Sequence, residues 1–255
     1  MERIEKMAEE EILSAEEIRL NIQRVRENIR AACLRAGRNP EEVQLIAVSK
    51  KKPFSCIAHA AEAGVHSFGE NYVQELMEKM EEREGWDSSH SVPLAWHMIG
   101  HLQKNKIKYL IGQVSMIHSV DTLSLAEQIE KEAGKKEACV DILMEVNVAR
   151  EENKWGFDSR EVLENARAIS GMPHLRLRGL MTSAPYTTLP ESNRPYFREL
   201  RQLAEKMTAE GLLAPGEAGR QQPVLSMGMS GDYEVAVEEG ATMIRVGSSI
   251  FGARN

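Results

Sequence analysis

Short apolar runs alternate along the chain with longer segments in which apolar residues recur at helical spacing. The first run, residues 45–48, follows Gln44 and leads into three lysines and Pro53, which cannot continue a strand ladder. Consecutive apolar residues with β-branched members are typical of a parallel strand that is covered on both faces. The pattern therefore predicts a buried strand that ends at Lys50, with Ile46, Val48 and Lys50 on one side.

The succession of apolar run, turn and helical segment then repeats to the end of the chain. Predicted strands lie at 45–48, 66–71, 94–100, 116–121, 140–147, 175–182, 224–229 and 241–247. Predicted helices lie at 55–63, 73–83, 104–111, 125–133, 159–169, 193–210 and 232–239. Such β-then-α units in series predict an α/β fold, a (β/α)8 TIM barrel. A doubly wound open sheet is the alternative, but no Gly-x-Gly-x-x-Gly follows the first strand.

The residues before the first strand predict an additional helix. Apolar residues recur at helical spacing from about Glu9 to Ala36, and Gly37 then provides a stop signal. The length of 255 residues allows one or two domains, and α/β barrels often reach this size as one. We therefore expect a single domain over residues 1–255, with residues 1–43 as an N-terminal helical segment.

Composition narrows the classes of function. The formal net charge of −7 argues against a broad nucleic-acid surface. The three cysteines are scattered without CxxC or metal-ligand spacing, which indicates a reducing compartment and no disulfide framework. No signal-peptide pattern or long apolar span is present. We expect a cytoplasmic protein that does not span a membrane.

Polar residues follow most of the predicted strands. Because the carboxyl ends of barrel strands meet at one mouth, these residues are candidates for a common site. They are Lys50, Asn71, His97, Gly100, His101, Asp121, Asn147, Thr182, Ser226 and Arg245. The three histidines of this region (His97, His101 and His118) lack metal-ligand spacing with a carboxylate, and we predict hydrogen-bonded core histidines.

The last two units carry a pattern that favours an anion. Residues 226–232 and 245–249 place small residues and serines where a strand leads into a helix. Backbone N–H groups at helix starts bind anions, and barrels often bind phosphate after strands seven and eight. Simple capping by Ser230 and Ser248 is the alternative. Two such turns in adjacent units favour a phosphate site.

A lysine across the mouth from a phosphate site suggests a phosphorylated carbonyl compound held as a Schiff base. A free lysine amine, with a pKa of about 10.4, is protonated and a poor nucleophile. Burial of Lys50 and the positive charge of Arg245 are expected to lower that pKa. Pyridoxal 5′-phosphate (PLP) meets both requirements, and so does a sugar phosphate in a Schiff-base aldolase.

Six ordered blocks resemble the signature of the pyridoxal phosphate homeostasis protein family, also called proline synthetase co-transcribed homologues. The blocks are residues 47–50, 68–75, 96–106, 179–182, 226–232 and 244–252, and together they span nearly the whole chain. The departures are slight. Ser248 stands where Thr is common, which keeps a hydroxyl, and Met98 stands where Phe is common.

The resemblance implies a fold-type III PLP-binding barrel like the N-terminal domain of alanine racemase. Lys50 would form the internal aldimine, Asn71 would line the ring, and Arg245 would face the pyridine nitrogen. The phosphate would be held by Ser226, Ser230, Gly247 and Ser248. The implied role is PLP (vitamin B6) homeostasis without established catalysis. PLP-dependent apoenzymes are candidate partners, and a monomer or weak dimer is the expected state.

Two enzymatic alternatives remain open at this point. The first is a PLP-dependent amino-acid racemase-like enzyme, which needs acid–base groups on both faces of the substrate carbon. A buried Tyr72 or Tyr186 opposite Lys50 would favour it. Against it, an arginine beside the pyridine nitrogen weakens the ring as an electron sink, and no second domain is expected after strand eight. The second alternative is a PLP-independent aldolase that uses Lys50.

Overall fold

Eight parallel strands pair in chain order and close into a barrel, because the first strand also pairs with the last. The computed structural model describes residues 12–87, 93–215 and 222–253. The strands are β1 (Gln44–Val48), β2 (Ser67–Glu70), β3 (Ala95–Met98), β4 (Met116–Val120), β5 (Val140–Glu145), β6 (Leu175–Met181), β7 (Val224–Ser226) and β8 (Met243–Val246). The predicted (β/α)8 barrel is confirmed, and the open sheet is excluded.

Helices follow the strands on the outside of the barrel. They are α1 (Ala15–Ala36), α2 (Phe54–Glu62), α3 (Val73–Asp87), α4 (Leu123–Lys135), α5 (Val162–Ser170), α6 (Arg194–Ala209), α7 (Tyr233–Glu238) and α8 (Ser248–Phe251). In the described part of the chain, no helix is long and apolar enough to cross a membrane.

Most predicted boundaries differ from the structure by one to four residues, and two of the differences have a local physical reason. The helix predicted over 104–111 is a 3-10 helix, Lys104–Tyr109. Lys104 and Lys108, at i and i+4, would repel each other on an α-helix, which slightly disfavours that form. The strand predicted over 224–229 ends at Ser226. The chain turns at Gly228, whose φ of 90° favours glycine.

The N-terminal helix α1 covers the seam where the barrel closes. A capping box between Ser14 and Glu17 starts the helix, and Gly37, with φ 65°, ends it. The predicted start near Glu9 lies outside the described residues. The apolar face of α1 contacts α2, α7 and α8, the helices that flank β1 and β8. This buried face consists of Ile18, Ile22, Val25, Ile29, Ala32 and Cys33.

Side chains of β1 alternate between the lumen of the barrel and the surrounding helices. Ile46 belongs to a small apolar cluster inside the barrel, formed with Met116, Leu143, Met181 and Met243. Val48 and Lys50 follow on the same side and line the cavity at the mouth. Ala47 belongs to the larger core between barrel and helices. The predicted alternation, which directs Lys50 into the mouth, is confirmed.

Candidate cofactor site

A cavity of about 360 Å³ opens at the carboxyl ends of the strands. Its size is in the range of small-molecule sites. It brings together most of the predicted site residues, from both ends of the chain: Lys50, Asn71, Ser230, Arg245, Gly247 and Ser248. Ser226 does not line it. In the wall formed by residues 183 and 185–187, which follows β6, sequence reasoning considered only Tyr186, and it did not single out Lys52 beside Lys50.

Lys50 and Asn71 form one wall of the cavity. Lys50 follows β1 and is partly buried, and Asn71 follows β2. The Oδ1 atom of Asn71 is buried and has no hydrogen-bond partner among the described residues. A Cβ atom at Gly100 would lie 2.4 Å from the Asn71 carbonyl oxygen, so the backbone after β3 packs directly on Asn71. The asparagine is therefore held with an unsatisfied amide oxygen, as expected of a ligand contact.

The neighbouring wall, after β7 and β8, offers backbone donors for an anion. The hydroxyl of Ser230 accepts hydrogen bonds from the backbone N–H groups of Gly247, at 3.2 Å, and Ser249, at 3.3 Å. A Cβ atom on Gly247 would lie 3.3 Å from the Val48 carbonyl oxygen, a close approach that favours glycine. The donors converge on one oxygen acceptor, and a phosphate oxygen has the same requirement. These residues fit the predicted phosphate site.

Arg245 supplies a buried cation below the cavity. Its guanidinium donates to the Ser226 hydroxyl at 2.7 Å and to the Thr182 carbonyl oxygen at 2.8 Å. Burial lowers the pKa of Arg245 to about 10, while the negative charges of Glu145 and Asp232 act in the opposite direction. The side chain therefore remains protonated at neutral pH and acts only as a donor.

The role predicted for Ser226 needs correction. Its hydroxyl is fully buried, accepts from Arg245 and contacts the Nδ1 atom of His118 at 2.9 Å. Arg245 only donates, so the proton of Ser226 is free to be donated to His118. The hydroxyl is engaged inside the barrel and lies outside the cavity lining. We assign Ser226 to the orientation of Arg245 instead of phosphate binding.

The series of hydrogen bonds that begins at Arg245 and Ser226 continues across the lumen of the barrel. The Nε2 atom of His118 lies 3.0 Å from Nδ1 of His97, and both rings are buried. With Nδ1 of His118 as the acceptor for Ser226, its Nε2–H donates to His97. The Nε2 atom of His97 is buried, and the described residues offer it no partner. Hydrogen bonds therefore run in one direction from Arg245 through Ser226 and His118 to His97.

Both histidines are held neutral by burial. Desolvation lowers the pKa of His97 to about 4. The pKa of His118 falls well below its ordinary value, first through desolvation and then because a proton there would be repelled by Arg245 and by a protonated His97. The prediction of core histidines is confirmed for these two. His101 differs, because its ring is partly exposed, contacts Asp121 at 2.8 Å and stacks on Trp155.

Glu145 is a titratable group that sequence reasoning missed. It ends β5, two residues after the inward-facing Leu143, and it is partly buried near Arg245 and Asp121. Desolvation raises its pKa to about 7, against the opposing effect of Arg245. The sequence did contain a signal for it, because alternation along the strand places Glu145 on the same side as Leu143.

These groups give the apo-protein a pH-dependent stability. His97 takes up a proton first in the unfolded chain, so the free energy of unfolding falls as pH drops from about 6.5 to about 4. This loss is on the order of 3 kcal/mol for His97. Glu145 acts oppositely, because its raised pKa lets the folded protein take up a proton first between about 4.5 and 7.

We therefore expect the H97Q variant to flatten the rise of stability with pH, and the E145Q variant to steepen it. Urea unfolding of the apo-protein at intervals between pH 4 and 7 measures both slopes. Identical slopes in the wild type and H97Q would contradict the burial of a neutral imidazole.

The tyrosines that would favour a racemase are not buried. Tyr186 lines the cavity but is 94% exposed, and Tyr72 is 57% exposed. Neither is held by the fold opposite Lys50 in the manner expected of a second catalytic base.

Comparison with known proteins agrees with this geometry. Residues 20–255 match the family model described as "Alanine racemase, N-terminal domain". The chain is 43% identical over 233 residues to the pyridoxal phosphate homeostasis protein of Aquifex aeolicus, covering 91% of this chain and 96% of that protein.

Solved structures support both the family and the fold. The structure of PipY from Synechococcus elongatus with PLP bound has 32% identity and a TM-score of 0.76, covering 92% of this chain and all of PipY (100%). Alanine racemase from Clostridium difficile has 13% identity and a TM-score of 0.70, covering 94% of this chain and 60% of that chain. The second likeness concerns the fold alone. This chain belongs to the pyridoxal phosphate homeostasis protein family, which carries the alanine racemase N-terminal domain.

Proposed function

We propose that this chain binds PLP as a Schiff base on Lys50 and serves in PLP homeostasis without catalytic turnover. The observation that carries this proposal is the cavity that Lys50, after β1, shares with Gly247, after the neighbouring β8, where the backbone N–H groups of Gly247 and Ser249 converge and Arg245 lies below. The relatives named for pyridoxal phosphate homeostasis and the PLP-bound PipY structure support it.

The residues of the cavity match the parts of this cofactor. PLP supplies an aldehyde that condenses with a primary amine and releases one water molecule. Lys50 supplies the amine, and Asn71, whose amide oxygen is unsatisfied, lies on the same wall. Ser230, Gly247 and Ser248 would hold the phosphate, and Arg245 would meet the pyridine nitrogen.

The surroundings favour holding over turnover. Arg245 stays cationic and donates, so it keeps a facing pyridine nitrogen unprotonated, which weakens electron withdrawal by the ring. Racemisation needs a second acid–base group, and both candidate tyrosines are exposed. We propose PLP-dependent apoenzymes as recipients, in a cytoplasm that the cysteine pattern favours.

A spectrum of the purified apo-protein titrated with PLP tests this proposal. We expect a visible absorption band, its loss on borohydride reduction, and a reduced adduct that peptide mapping assigns to Lys50. A panel of amino acids added to the loaded protein should give no product above a PLP-only control. Product formation would establish the racemase-like alternative, and failure to take up PLP would favour a sugar phosphate.

A further inference from the structure

A buried charged network lies behind the cavity wall, on the helix side of β1. The ammonium group of Lys79 on α3 lies 2.7 Å from each of three oxygens: the Ser49 carbonyl, Oε1 of Glu70 and Oε1 of Glu75. Lys79 and Glu70 are both buried. These contacts use all three ammonium protons, so the network, and not the cavity, occupies this lysine.

The network holds the chain on both sides of Lys50. On one side, the carbonyl of Ser49 accepts from Lys79, and its hydroxyl donates to Glu70 at 2.6 Å. On the other side, the backbone N–H of Lys51 donates to the same Glu75 oxygen that pairs with Lys79. Lys51 has a φ of 60°, which a side chain other than glycine adopts only at a cost.

This backbone conformation determines where the Lys50 amine points. Successive side chains of a strand point in opposite directions. Lys50 therefore points inward only if the backbone stays extended at Ser49, so that Ser49 points outward to the helices. After Lys50 the chain turns, and the backbone N–H of Lys52 donates to the Ser49 carbonyl at 3.0 Å. Lys79 therefore secures the turn through the same carbonyl that closes it.

The charges of the network explain why it is costly to disrupt. Burial raises the pKa of Glu70, and the positive charge of Lys79 opposes this shift. Removing Lys79 would leave two carboxylates close together, one of them fully buried, without a cation. Oε2 of Glu70 already lacks a hydrogen-bond partner within the described residues.

We propose that Lys79 is a positioning residue for Lys50: it fixes the backbone on both sides of the reacting lysine so that its amine meets a bound aldehyde. This inference rests on the proposed function. The expected signature is selective. Bond formation at Lys50 suffers when Lys79 is removed, whereas the contacts to the phosphate and to the pyridine nitrogen, made from the ends of β7 and β8, are retained.

Two ligands separate these effects in the full-length apo-protein. PLP carries the aldehyde that reacts with an amine, and pyridoxine 5′-phosphate carries an alcohol in its place. In the K79M variant we expect PLP affinity to fall at least tenfold, and pyridoxine 5′-phosphate affinity to change less than threefold. Amide hydrogen exchange of the apo-protein at Lys51 and Lys52 should become at least tenfold faster.

Further variants guard against simple unfolding. The E70Q/K79M pair removes the buried negative charge together with the cation, and E75Q neutralises the more exposed carboxylate, which accepts from both Lys51 and Lys79. We expect both to fold, to accelerate exchange at Lys51, and to lose PLP affinity selectively. The E239Q variant is the control, since Glu239 is a buried carboxylate whose partners, Arg194 and Arg198, lie on α6.

The outcomes distinguish this inference from the function on which it rests. A wild type that forms no visible band with PLP overturns the proposed function. A wild type that forms it, with folded variants that bind PLP equally well, overturns the positioning role alone. Equal loss of both ligands in K79M, or the same selective loss in E239Q, also contradicts the role, because a general loss of stability would then explain the result.

Discussion

The Lys50→Ala variant is expected to bind PLP without the visible band and to show no adduct after borohydride reduction. The variant keeps the backbone donors of Gly247 and Ser249 and the Arg245 cation, so phosphate and ring contacts remain. We expect the dissociation constant to rise at least about tenfold, or ~1.4 kcal/mol, because the covalent bond is lost. Absorption spectra and equilibrium dialysis with PLP measure both effects.

Lys52 provides the matched control. It also lines the cavity and is largely buried, so it is the other lysine of this wall that could meet an aldehyde. Lys52→Ala should keep the visible band and the adduct at Lys50. A band that survives in Lys50→Ala and disappears in Lys52→Ala would transfer the role to Lys52.

The Gly179→Ala variant is expected to lower the free energy of unfolding by at least about 3 kcal/mol, since backbone strain and a steric clash add. Gly179 lies in β6 with φ 154°, and a Cβ atom there would lie 2.0 Å from the Val224 carbonyl oxygen on β7. The clash involves backbone on both strands, so no side chain can move to relieve it. Thermal unfolding should shift downward by roughly 10 °C.

Gly85→Ala is the control for this variant. Gly85 lies in α3, and an added Cβ atom would meet nothing within 4 Å. Alanine in a helix is favoured over glycine by about 0.5–1 kcal/mol, so this variant should be as stable as the wild type or slightly more stable. A Gly179→Ala protein that unfolds at the wild-type temperature would show that β6 and β7 are not packed as described.

Gly179 also marks a feature of the fold that the sequence pattern did not predict. The pairing of β5 with β6 shifts register between Ile142 and Leu143, opposite Arg178, so β6 contains a bulge. As a result, Leu177 faces the outer core and Met181 faces the lumen, although strict alternation would put them on one side. A glycine inside an apolar strand was the available signal.

The barrel and most of the site could be predicted because both depend on local repetition. Each strand end was identified from its own apolar run. Closure of the barrel then brings Lys50, Asn71 and Arg245 together, so their proximity follows without knowing which distant residues are in contact. Ser226 shows the limit of that reasoning. Its hydroxyl lies inside the barrel, but its use there depends on His118 from β4, and alternation does not reveal hydrogen-bond partners.

Lys79 was missed for a related reason. On a helix, Glu75 and Lys79 form an i, i+4 pair, which is the usual pattern of a solvated surface. Only the packing of α3 against the barrel buries Lys79 against Glu70 and the Ser49 carbonyl. Local patterns in a sequence reveal the charges of such a network but not its burial.

The pairing of β1 with β8 has a consequence for the folding kinetics of the chain. Gln44 pairs with Met243 and Ala47 with Val246, so this contact joins segments separated by about as long a loop as the chain allows. Such pairings close late and slowly, because the entropy of the loop must be overcome first. Lys50 and Gly247 lie immediately beyond these two strands. A ligand that contacts both Lys50 and Gly247 should therefore slow the separation of β1 from β8 during unfolding. During refolding, binding of that ligand should report the last step of barrel closure.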